Sequence, residues 1–176
     1  MKKIFTIVLI LCCFITADSK SISSCDSADD LLYIITLKLC ELDKNISQQE
    51  EISVYVLGPE KIAKGFEGII GHKAGNAVLK EVNSGKTIPE EKYTVIFVST
   101  ESEKTIEEAI EYANKNKVLS VTNCPDLVSK GIAFGISFEK EKPKILINLS
   151  AARQEGLNLS SDVLQLDNII MELKSK

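Results

Sequence analysis

The sequence predicts an α/β fold, a three-layer sandwich with a mostly parallel sheet and a C-terminal antiparallel hairpin at its edge. Three stretches predict it. Tyr93 to Ser99 reads Tyr-Thr-Val-Ile-Phe-Val-Ser, nearly unbroken in apolar character, as a strand covered on both faces reads. Ile52 to Leu57 is a second such run, and Gly58-Pro59 followed by an amphipathic helical pattern is the punctuation of a β-to-α unit. Ile132, Phe134, Ile136 and Phe138 instead alternate with Ala133, Gly135 and Ser137, and a further apolar run follows a turn, which marks the hairpin.

The 176 residues, 44% hydrophobic and 26% charged, suit one domain with a substantial core. The formal net charge is −4, and Lys and Glu are interspersed, so no basic cluster follows a phosphate backbone and no nucleic acid partner is expected. Lys2 and Lys3 precede the apolar run Ile4 to Ile15, and Thr16-Ala17 before Asp18 makes a cleavage site. This is the pattern of a signal peptide over residues 1–17, with a single domain over 18–176. A spanning helix needs roughly twenty apolar residues, so the protein is expected to be periplasmic or secreted and not itself membrane-spanning. A competing reading takes Ile22-Ser23-Ser24-Cys25 as a lipobox and anchors a lipoprotein at Cys25. Asp18 and Lys20 count against it, because a lipobox normally closes the hydrophobic run directly.

Removal of the signal takes Cys12 and Cys13 with it and leaves Cys25, Cys40 and Cys124. An odd set means that at least one thiol stays free or pairs between chains. Cys25 and Cys40 fall near opposite ends of the first predicted helix, roughly 20 Å apart at the helical rise. A disulfide spans at most about 7 Å between Cα atoms, so these two do not pair within one chain. The cysteines and the lone His72 lack zinc-site spacing, and neither metal nor cofactor is expected.

The elements follow in order. Ser27-Ala-Asp-Asp opens a helix with Leu31, Leu32, Ile35, Leu39 and Leu42 on one side. A polar connection leads to the strand Ile52 to Leu57. Pro59 opens a second helix, whose apolar face is Ile62, Ala63, Phe66, Ile69 and Ile70 and whose stop is Gly71. Ala77 to Asn83 reads as a strand ending in the turn Asn83-Ser84-Gly85-Lys86. After the central strand, Thr100-Glu101-Ser102-Glu103 spells a capping box, and Ile106, Ala109, Ile110 and Ala113 give the next helix its buried stripe. Val118 to Thr122 is a short strand. The hairpin pairs Ile132–Phe138 with Lys144–Leu149, Ser150 to Glu155 is a short helix stopped by Gly156, and Ser161 starts a last helix with Val163, Leu166, Ile170 and Leu173 inward.

No catalytic constellation is spelled. A Ser-His or Cys-His pair would have to use His72, just past a helix end, and no Gly-x-Ser-x-Gly elbow exists. Gly65, Gly68, Gly71 and Gly75 do not match Gly-x-Gly-x-x-Gly, and Gly85-Lys86-Thr87 lacks the earlier glycine of a phosphate loop. Ligands of open α/β sheets bind outside the carboxyl ends of the parallel strands, which makes Gly58, Ser99, Thr100 and Asn123 the candidate ligand-binding residues. Helix capping is the competing role for such residues. The first helix offers a second candidate surface. Beside its inner stripe it carries Tyr33, Ile34 and Leu37 on its other sides, more apolar surface than one sheet covers, and these three are the candidate partner-binding residues.

Three stretches together resemble the YfiR-like family of exported bacterial regulators. They are Ile52-Ser-Val-Tyr-Val-Leu-Gly-Pro59 with its helix, Val95-Ile-Phe-Val-Ser99 leading to Val118-Leu-Ser-Val-Thr122, and the closing run from Ile145 through Ala151-Ala152-Arg153 and Gly156-Leu157 to Ser161. The last is the most specific, since a strand ending in Ile-Asn, then Ala-Ala-Arg, then Gly-Leu and a Ser-capped helix is a distinctive series. The resemblance implies an α/β sandwich without catalytic activity and regulation by protein contact in the periplasm, often with a homodimer. On that reading the chain is a non-enzymatic regulator in cyclic di-GMP signalling that binds and restrains a membrane-bound signalling partner, a diguanylate cyclase or a sensor kinase. The alternative is a periplasmic small-molecule-binding or sensor protein that uses the strand ends. Two departures from the family stand out. Leu42-Asp-Lys-Asn-Ile46 replaces an aromatic, proline-ended stretch, and Cys124 lacks the nearby partner found in members with a disulfide in this loop.

Overall fold

The computed structural model describes residues 27–140, 142–160 and 169–171. Along the chain run α1 (Ser27–Leu42), β1 (Glu51–Leu57), α2 (Glu60–Glu67), β2 (Lys73–Ala74), β3 (Ala77–Gly85), β4 (Val95–Val98) and α3 (Glu103–Asn116). They are followed by β5 (Leu119–Thr122), α4 (Asp126–Lys130), β6 (Phe134–Glu139), β7 (Lys142–Ile147), α5 (Leu149–Gln154) and β8 (Ile169–Met171). The strands form one sheet in the order β2-β3-β1-β4-β5-β6-β7-β8. From β3 to β6 every neighbour is parallel, and β6 and β7 form the antiparallel hairpin, Phe134 opposite Ile147 and Glu139 opposite Lys142.

The apolar runs explain the layers. Val54 and Val56 of β1, Val95 and Phe97 of β4, and Leu119 and Val121 of β5 pack on one face with α1, α2 and α5. Tyr55, Leu57, Ile96 and Val98 point to the other face, where Ile106, Ala109, Tyr112 and Ala113 of α3 and Leu127 of α4 cover them. Strict alternation of buried residues across two cores is what a strand covered on both sides requires. The three-layer, mostly parallel sandwich expected from the sequence is the observed fold.

Several local expectations change. Ser102, not Thr100, caps α3, its Oγ accepting the Thr105 N–H, while Thr100 accepts the Ser102 N–H in a turn just before the helix. Asn83, Ser84 and Gly85 belong to β3 instead of a turn, because parallel pairing with β1 continues to Leu57 opposite Gly85 and overrides the turn chemistry of these residues. Helix α2 ends at Glu67, so Ile69 and Ile70 lie in the turn beyond it. The last predicted helix meets β8, in which Ile170 pairs with Leu146 of β7. Three consecutive apolar residues fit a helix face or a strand, and the open edge of β7 decides between them. Val163, Leu166 and Leu173 lie outside the described residues. Helix α4 and strand β2 are too short to leave a periodic signal.

Candidate functional site

Helix α1 buries more of its circumference than a single-sheet contact would. Tyr33 is 4% exposed and Leu37 3%, so the free apolar surface expected of them is corrected to core. The cause is a second neighbour. The Tyr33 ring meets Phe66 of α2 edge-on at 4.8 Å, and Phe66 meets Phe97 of β4 at 5.3 Å. Gly65 makes room for this crossing, since a Cβ there would run into the Tyr33 ring. Leu31, expected to face inward, is instead 40% exposed, and Ile34 is half-buried beside it, whereas Ile35 packs against the core as expected, so the outward apolar strip of α1 is Leu31 and Ile34. Cys40 lies inside the core with a free thiol whose pKa is pushed up to about 12, by burial first and by the charge of Asp43 second. Such a thiol is inert near neutrality.

Asp43, itself 1% exposed, organises the loop after α1. Its Oδ1 accepts the N–H groups of Asn45 at 2.9 Å and Ile46 at 2.8 Å, and its Oδ2 accepts the Asn158 N–H. Lys44 N–H donates to Asn158 O and Ser160 N–H to Leu42 O, so the segment after α5 is strapped to the end of α1.

The carboxyl ends of β1, β4 and β5 lie side by side, as the open-sheet rule requires, and bring Gly58, Ser99, Thr100 and Asn123 to one rim. The fold itself uses much of what they offer. Ser99 N–H donates to Leu57 O at 2.9 Å and Gly58 N–H to Gly85 O at 3.2 Å, and a Cβ on Gly58 would strike the Ser99 carbonyl. Thr100 Oγ1 accepts the Ser102 N–H at 3.3 Å, and Asn123 Oδ1 lies 3.7 Å from Cys124 Sγ. Thr122, buried behind them, donates to Val98 O at 2.6 Å and accepts the Cys124 N–H at 3.0 Å. The Cys124 thiol is free and half-buried, and His72 is exposed, its Nδ1 2.9 Å from Ile69 O.

Sequence reasoning missed the polar features at the other end of the strands. Glu155 is 1% exposed and reaches Ser120 at the start of β5, its Oε2 accepting the Ser120 N–H at 3.0 Å and its Oε1 the Ser120 hydroxyl. Ser120 Oγ in turn accepts the Ala133 N–H at 2.8 Å. The pairing of β5 with β6 begins only at Val121 opposite Phe134, so this relay satisfies the backbone groups that the ladder does not reach. Burial raises the Glu155 pKa to about 8, against the opposing hydrogen bonds from Ser120 and the charge of Lys117. At neutral pH the carboxyl is mostly protonated, which removes the cost of an unpaired buried charge.

Beside it opens a cleft of about 260 Å³, lined by Gln49, Ser53, Lys92, Tyr93, Thr94 and Lys117, with Ile46 at its base. The β1–β3 register shifts between Ile52 and Ser53, at the cleft wall. Lys117 caps α3 in the left-handed region, at φ 55°, and its Nζ donates to Gln154 O at the end of α5 at 2.6 Å. Ser53 and Thr94 lie 41 positions apart and Lys117 lies farther still, so no local motif could have shown that they meet.

A family model described as YfiR/HmsC-like matches residues 34–167. Among solved structures, the chain is similar to that of a conserved domain protein from Vibrio cholerae O1 biovar El Tor, with a TM-score of 0.52 and 16% identity. That likeness covers 82% of this chain, which spans 60% of the length of the other, and at such identity it concerns the fold alone. No curated protein matches.

Proposed function

The chain belongs to the YfiR/HmsC-like family, and from that premise we propose that it is an exported, non-enzymatic regulator that binds and restrains a membrane-bound signalling protein. A diguanylate cyclase is the partner the family suggests, which would place the chain in cyclic di-GMP signalling, and a sensor kinase is the related choice. The observation that carries the reading is the match over residues 34–167, which runs from the middle of α1 past α5 and so takes in the described core of the domain.

The contact surface follows from what α1 leaves outward. Tyr33, Ile35 and Leu37 serve the core, whereas Leu31 and Ile34 form a strip at helical spacing that neither the sheet nor α2 fully covers. We assign the partner contact to this strip, with Ile34 at its centre. A photocrosslinking residue at position 34, introduced into the protein in its native envelope, is expected to trap a membrane-spanning protein whose cyclase or kinase activity falls when the purified regulator is added. Ile34→Asp is expected to keep the fold and to weaken that inhibition at least tenfold, since a charge at the core of an interface is poorly tolerated. Undiminished inhibition by folded Ile34→Asp would remove α1 as the contact. If deletion of the protein left cyclase and kinase outputs unchanged, the regulatory reading itself would fail.

A further inference from the structure

The cleft at the amino ends of β1, β4 and β5 gathers hydroxyl, ammonium and amide donors on one lining. Ser53 Oγ accepts the Thr94 N–H at 3.1 Å, and Thr94 Oγ1 accepts the Ser53 N–H at 3.2 Å. The two hydroxyl oxygens lie 3.4 Å apart, and either can donate to the other, but only one can do so at a time. The second O–H is then left over from the pair and can donate into the cleft that both residues line. Lys92 lines the same cleft, is exposed, and forms no ion pair among the described residues. Lys117 has further N–H groups beyond the one held by Gln154 O, and Gln49 adds a side-chain amide.

Among the described residues, no Asp or Glu lines the cleft. The carboxyl whose charge Lys117 feels, Glu155, is mostly protonated at neutral pH because burial pushes it up to about 8, so it does not cancel the cationic lining. Tyr93 presents its ring as a wall while its hydroxyl accepts from Asn83 Nδ2 at 2.9 Å, and Ile46 is apolar. Two cations, a surplus hydroxyl proton and a small apolar wall describe a receptor for one oxyanion group on a small body.

We propose that this cleft binds a small free oxyanion, a carboxylate or a phosphate, held by Lys92, Lys117 and the Ser53–Thr94 hydroxyl pair. The site lies at the opposite end of the strands from Gly58, Ser99, Thr100 and Asn123, and it does not depend on what α1 contacts. Its charge complement is set by groups from the loop before β4 and the end of α3, and the register shift in β1 sits at its wall. Charge-assisted hydrogen bonds to ions are the stronger kind, so loss of one cation is a measurable loss of affinity.

The test is an amide NMR titration of the purified protein with inorganic phosphate and, separately, with benzoate, each compared with chloride at equal ionic strength. At least one of the two oxyanions is expected to give saturable shifts at the Ser53, Thr94 and Lys117 amides that chloride does not reproduce. Lys92→Gln, at an exposed position that does not support the core, is expected to weaken that binding about tenfold, and Thr94→Ser, which keeps the hydroxyl, to retain it. Absence of saturable shifts with both probes, equal shifts with chloride, or full affinity in Lys92→Gln would each overturn the site. So would shifts centred on Ser99 and Asn123.

Discussion

The two ends of the same parallel strands are built differently. At the carboxyl ends, Gly58 and Ser99 give their N–H groups to neighbouring strands and Thr100 gives its hydroxyl oxygen to the turn that enters α3. At the amino ends, Ser53 and Thr94 satisfy each other's backbone and still leave one hydroxyl proton over, beside two lysines. Topology places a rim, but hydrogen-bond accounting decides whether the rim has anything left to offer a ligand. By that accounting the end opposite to the one the general rule selects sets its spare hydroxyl proton beside two lysines, Lys92 and Lys117.

The largest effect that sharpens this contrast is expected at Gly58. A side chain there meets the Ser99 carbonyl, backbone directly after the central strand β4 whose N–H is held by Leu57 O, so it cannot swing away as a side chain would. Gly58→Val is expected to cost about 3 kcal/mol, or roughly 10 °C in melting temperature followed by circular dichroism. If it melts with the wild type, the carboxyl-end rim has room that the packing denies, and the contrast between the ends weakens.

The amino end has its own vulnerable group, and there the signal is a pH dependence. Folded Glu155 keeps its proton up to about pH 8, whereas the unfolded chain releases it near its ordinary value of 4.5. The native state therefore binds the extra proton between these values, so stability falls as pH rises through that window and levels off above it. The decline from pH 5 to pH 8 is expected to be on the order of 3 kcal/mol. In Glu155→Gln the amide carries no titrating proton but still offers an acceptor to the Ser120 N–H, so urea unfolding at the two pH values should show this decline removed. An unchanged decline in the variant would assign the pH dependence to other groups and make Glu155 an ordinary buried acceptor.

What could be read from the chain follows the range of the interactions. The central strands were legible because Ile52–Leu57 and Val95–Ser99 are apolar on both faces, a property that needs no knowledge of neighbours. Faces of α1 were legible only in part. Spacing assigned one packing partner to the helix, whereas the second partner, α2 with its Gly65 and Phe66, takes Tyr33 into the core, where Leu37 is buried too, while Leu31 is left exposed. Ile170 was misread because a short apolar run carries no period of its own. The Glu155–Ser120 contact joins residues 35 positions apart, and the Ser53–Thr94 pair 41, so neither could be found by spacing. Gly58, Ser99, Thr100 and Asn123 lie just past the carboxyl ends of neighbouring parallel strands, an end that the β-to-α alternation makes legible, but the use of this rim by the backbone depends on distances that no sequence pattern encodes.

The smallest expected effect is also the one that compares the two ends most directly. Thr100 accepts a 3.3 Å hydrogen bond from the exposed Ser102 N–H, which water can replace, and Asn123 Oδ1 accepts from the Cys124 thiol at a long 3.7 Å. Thr100→Ala combined with Asn123→Ala is therefore expected to cost no more than about 1 kcal/mol of stability. It should also leave oxyanion affinity at the amino-end cleft unchanged, because neither residue lines that cleft. Calorimetric titration of the double variant beside Lys92→Gln gives both readings under one set of conditions. Loss of affinity in the double variant, with Lys92→Gln intact, would return the ligand to the carboxyl ends and reverse the assignment. Loss in Lys92→Gln alone would mean that the sheet keeps its binding chemistry where its strands begin.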